Sequence, residues 1–196
     1  MRNSPLPTQA QKEVPMATYQ FLQALAELLR QSDTGMMTFE EPLPDGVREK
    51  LIEAITLFGT AATLPIHEAL ERAKEERGET GLIQALEAIK DPRSIPELIA
   101  FHRRGGSFIS SLAMIQAIGE FSDQTAIEYL LSILQQYCAG NTRVVETRNE
   151  IADICITSKR WKIIDAIPYL QTLIIQESPK SPIYEPARDA LESLIR

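Results

Sequence analysis

Apolar residues recur at three- and four-residue spacing along most of this chain, and short polar or proline-containing phrases interrupt them. Phe21, Leu22, Leu25, Leu28 and Leu29 keep that spacing and predict a first helix over about 15–31. Pro15 suits its first turn, where a missing N–H costs nothing. Residues 32–46 read as a loop. Asp45 is placed to cap a helix over 47–58, whose apolar members are Val47, Leu51, Ile52, Ile55 and Phe58. Further helices are predicted over 63–77, from Leu82, over 94–104, from Ser107, over 123–138, 143–157 and 163–176, and from Pro182. Ser94 and Glu97 read as a capping box, and Asp123 as a second N-cap. Residues 1–14, with Pro5 and Pro7, read as a flexible arm.

Three phrases in the second half are variants of one another. Ile95-Pro96-Glu97-Leu98, Ala126-Ile127-Glu128-Tyr129-Leu130 and Ala166-Ile167-Pro168-Tyr169-Leu170 each open a helix after a polar turn. Ile95, Ile127 and Ile167 lie 32 and 40 residues apart, a period typical of stacked helix pairs. One pair cannot cover its own apolar stripe, and stacking buries it. The expected fold is all-α, a short solenoid of about nine helices, with residues 15–196 as one domain.

The same phrases resemble HEAT repeats, most closely the bacterial kind found in phycobilisome-lyase-like proteins. Asp91, Ser94, Ile95, Pro96 and Leu98 match the phrase that opens the first helix of such a repeat. Ala117, Ile118 and Gly119 match the end of the second helix, and Arg188 falls on its arginine. Ile151 and Ile154 stand where that family has alanines, and Leu191 replaces another. The resemblance implies a right-handed array of about four antiparallel helix pairs with an extra N-terminal helix. It also implies the alternative function, a phycobilin lyase or chromophore-handling chaperone subunit carrying a bilin. Otherwise no cofactor is expected.

Composition narrows the function classes. With 27 acidic against 20 basic residues the net charge is −7, which disfavours a general nucleic-acid binder. No stretch approaches eighteen consecutive apolar residues, so no membrane insertion is expected. The sequence MRNSPLPTQAQKEVP lacks the apolar run of a signal peptide, and a cytoplasmic location is expected. His67 and His102 lack metal-ligand spacing and read as boundary residues. Cys138 and Cys155 sit on apolar-periodic helices and read as buried free thiols. No phosphate loop, nucleophile elbow or dinucleotide fingerprint occurs, so no catalytic residue is assigned.

What remains is a non-enzymatic module binding a partner protein along its helical surface. Arg143, Glu146, Asn149 and Glu150 carry polar groups at helical spacing on a second helix, where the core does not need them. The one tryptophan, Trp161, sits with Arg160 among three cations in a turn, and such residues anchor interfaces. A tryptophan folded back over the end of the core is the other reading of the same phrase. An apolar edge of the array is expected to pair with a second copy or another chain.

Overall fold

The computed structural model of this chain describes residues 14–34, 46–76, 78–105, 108–141 and 148–196. They form ten α-helices and no strand among the described residues. These are α1 (Met16–Thr34), α2 (Val47–Thr56), α3 (Thr63–Glu76), α4 (Glu79–Ile89) and α5 (Ile95–Arg104), then α6 (Phe108–Gly119), α7 (Gln124–Cys138), α8 (Arg148–Arg160), α9 (Ile167–Gln176) and α10 (Tyr184–Leu194). They gather into two compact units, one ending at Ile89 and one spanning Lys90–Arg196.

In the first unit α1 packs on α2, α3 and α4, α2 on α4, and α3 on α4. The N-terminal helix is therefore packed against all three other helices of its unit. Leu22, Leu25, Ala26 and Leu29 of α1 meet a core that includes Ile55, Ile66, Leu82 and Leu86. Phe21 and Leu28, expected in that core, stay 55% and 53% exposed. Each lies more than a quarter-turn from the buried face, and no described helix covers that side. Of the apolar members predicted for α2, only Ile55 is buried.

In the second unit consecutive helices pair as α5–α6, α7–α8 and α9–α10. The pairs are stacked: α5 packs on α7 and α7 on α9, while α6 packs on α8 and α8 on α10. The buried layer between these rows holds Leu98, Ile115, Ile118, Leu130, Leu134, Ile151, Ile154, Leu170, Leu173, Ala187 and Ala190. Alanines on α10 let two helices approach it closely.

The repetition seen in sequence is also one of backbone. Lys90 and Lys162, 72 residues apart, both adopt left-handed φ, 53° and 54°. Each is followed by a 3-10 turn, Pro92–Ser94 or Ile164–Ala166, and then by a helix with proline in its first turn. Asp123 caps α7 as expected, accepting the Thr125 N–H at 2.7 Å. The predicted capping box is not formed. Ser94 lies in helical conformation without a side-chain cap, and Asp91 caps instead, accepting the Arg93 N–H at 3.1 Å. The 3-10 turn moves the chain's entry three residues upstream. Asp45 and most of the 1–14 arm and the 32–46 loop lie outside the described residues. The N-cap position of α2 is Gly46, with φ 81°.

Candidate interaction site

α8 lies in the middle of its row, between α6 and α10. Its described part begins at Arg148 and ends at Arg160. Lys159 and Arg160 are therefore not in a turn; they occupy the last helical turn, where the helix dipole favours cations. Trp161 and Lys162 follow as the exit, and the Ile163 N–H closes it on the Ser158 carbonyl at 2.9 Å.

Asn149, Asp153, Ile156 and Arg160 fall at four-, three- and four-residue spacing and form one outward stripe on α8, about 16 Å long. Ile156 is 45% exposed at its middle. Polar side chains surround it. Gln116 of α6 donates to Asp153 at 2.8 Å, and Lys159 pairs with Asp189 of α10 at 2.6 Å. Farther along α10, Arg188 pairs with Glu185 and, at 4.0 Å, with Glu192. The surface is of mixed charge with one apolar centre.

Two predicted binding residues, Asn149 and Arg160, share this stripe. Glu150 does not: its side chain is fully buried, against the expectation that the core has no use for it. One residue along a helix is a rotation of about 100°, and that step carries Glu150 to the packed side. Arg143 and Glu146 lie outside the described residues. Asp153 and Ile156 were missed, although their spacing from Asn149 and Arg160 is legible once the helix is taken to reach Arg160.

Trp161 is half-buried, and its indole N–H donates to the Gly119 carbonyl at 2.8 Å. Beside it Arg160 pairs with Glu120, which also holds Lys90 at 2.9 Å. Glu120 thus ties together the turn before α5, the turn after α6 and the end of α8. Its carboxyl is held below the usual range by Lys90 first, against the pull of burial, with Arg160 adding. This places Trp161 over the α6–α7 turn, the second of the two readings of its phrase, with part of the ring still open at the rim.

A second polar cluster lies where α7 meets the end of α9. Tyr137 donates to Glu177 at 2.7 Å, and its hydroxyl is pushed up to about 12 by burial and then by that carboxylate. Burial pushes the Glu177 carboxyl up, but Ser181, Tyr137 and Arg148 together hold it below the usual range. Glu177, Arg148, Lys180 and Ser178 line an open polar cleft there.

Chemically reactive groups are quiet. His102 accepts or donates to Tyr129 at 2.6 Å and to Ser111 at 3.0 Å, joining α5, α6 and α7. Burial lowers its ring to about 4, so it is neutral at pH 7. The Arg103 guanidinium stands 5.1 Å from the Tyr129 ring centre. Ser111 is 2% exposed, so the serine–histidine contact is closed to a substrate. Both cysteines are free; Cys155 is buried and Cys138 partly so. Burial raises both thiols, Cys155 to about 12, which disfavours the reactive thiolate. No cluster of three metal-ligating side chains exists among the described residues.

Among the described residues, fold and site together define an all-helical protein with a stacked-helix architecture. No family model matches the chain, and no curated protein and no solved structure matches it. No helix of the described residues is long and apolar enough to cross a membrane.

Proposed function

We propose that this chain is a non-enzymatic interaction module of the HEAT type that grips a partner protein on the outer face of α8 and its neighbours. The observation that carries the reading is the α8 stripe. A half-exposed isoleucine sits at its centre within a ring of polar groups drawn from α6, α8 and α10. That is the composition of a small interface core with a polar rim. Trp161 and Arg160 stand at one end of the stripe and Asn149 at the other. The shared left-handed lysines and 3-10 turns, 72 residues apart, support the HEAT-type reading of the repeats.

The full chain, tagged and used for affinity capture from its native lysate, tests this. Ile156→Asp should reduce recovery of specific partners at least about tenfold with unchanged melting temperature, and Arg160→Glu should do the same with a small loss of stability from its broken pair with Glu120. Recovery equal to wild type with both variants would remove α8 from the interface. The chromophore-handling alternative rests on resemblance alone. Incubation with a free bilin and its target subunit, read by visible absorbance and adduct transfer, tests it.

A further inference from the structure

We propose that two copies of this chain associate through the exposed face of the α1–α2 pair, about a two-fold axis that crosses α1 near its middle. Ala17, Phe21, Ala24 and Leu28 form an outward stripe on α1 at four-, three- and four-residue spacing, the seam spacing of paired helices. Phe58, just past α2, brings its ring to 5.8 Å from that of Phe21 and extends the stripe sideways. Leu57 beside it is 82% exposed.

The stripe is self-complementary. It alternates small, large, small, large. Two copies of α1 running in opposite directions about a point between Leu22 and Gln23 set Phe21 of one copy against Ala24 of the other. The same operation sets Leu28 against Ala17. Every large side chain meets a small one, and each contact occurs twice, as an isologous interface requires. A parallel pairing in register would set Phe21 on Phe21 and Leu28 on Leu28 and leave gaps between the alanines.

The area fits a dimer as well. Phe21 at 55%, Leu28 at 53%, Phe58 at 39% and Leu57 at 82%, with the two alanines, leave on the order of 500 Å² of apolar surface open. A homodimer interface is about 65% apolar, which scales this patch to nearly the ~800 Å² per partner of a standard interface. Gln20 and Gln31, exposed beside the stripe, supply rim. An apolar face of this size is at the upper end of the largest patch a typical monomer carries, and such patches are often functional. The stripe shares no residue with the α8 face, so either proposal can fail alone.

Sedimentation equilibrium of the full chain over a concentration series is the test. The expected result is a reversible monomer–dimer equilibrium. Phe21→Glu and Leu28→Glu should each weaken it at least about 100-fold, because each copy would bury one unpaired charge in the interface. Both side chains are half-exposed, so circular dichroism and melting temperature of the monomer should match wild type. Ala24→Cys should give a covalent dimer on mild oxidation, and Glu192→Cys should not. A chain that stays monomeric at all concentrations overturns the proposal. So does a dimer that neither glutamate weakens. A chain that dimerises only after deletion of residues 1–13 also overturns it, and would make the N-terminal arm the occupant of this face.

Discussion

Gly119 is a point of close approach between α6 and α8. A Cβ built there would stand 2.7 Å from Thr157 Oγ1, and Thr157 is buried and branched, so neither side yields easily. Gly119→Ala should cost about 1–3 kcal/mol by urea unfolding, and Thr157→Ala in the same chain should recover part of it. Gly78 is constrained twice: its φ is 122°, and a Cβ there would run into the Arg30 carbonyl oxygen. His102 makes a pH prediction. Its folded value, about 4, lies below the ordinary 6.5, so the unfolded chain binds the proton more readily. Stability from this site is complete above about 6.5 and is lost as the pH falls through about 4, a ceiling on the order of 3 kcal/mol. The stability difference between wild type and His102→Gln, measured by urea unfolding, should therefore shrink as the pH is lowered from 7 to 4.

At the scale of elements, the hairpins of the second unit are joined at their turns. Trp161 and Glu120 are the joints. Trp161→Phe keeps most of the ring and removes one hydrogen bond, which should cost about 1 kcal/mol. Glu120→Ala removes contacts to Lys90 and Arg160, whose side chains are 55% and 45% exposed. Exposed pairs are screened, so the loss should stay under about 1 kcal/mol and diminish in high salt. Urea unfolding at low and high salt separates the two: the Trp161 effect should be insensitive to salt. The helices themselves were legible because apolar spacing and caps such as Asp123 act within one turn of chain. The predicted helix end at residue 157, three residues short of Arg160, and the capping box at Ser94 erred for the opposite reason. A 3-10 entry and a helix end depend on what the neighbouring hairpin leaves room for.

For the whole molecule, the division at Ile89 and Lys90 gives each part its own core. A fragment of residues 90–196 contains three complete pairs and both joints. It should retain helical circular dichroism and unfold cooperatively on its own. A fragment without a cooperative transition would show that the second unit depends on the first. The stacked arrangement also sets which faces are left open, the α8 stripe in one unit and the α1–α2 face in the other.

The amino-acid order by itself determined the helices and their period, because both are written in local spacing and residue type. It did not determine which flank of each helix would be covered. An apolar stripe is wide enough to accept a neighbour at several angles. Only the packed arrangement exposed Phe21 and Leu28, buried Glu150 beside exposed Asn149, and hung Trp161 on the Gly119 carbonyl. Those outcomes follow from where adjacent helices lie, and contacts between residues more than forty positions apart carry no local signature.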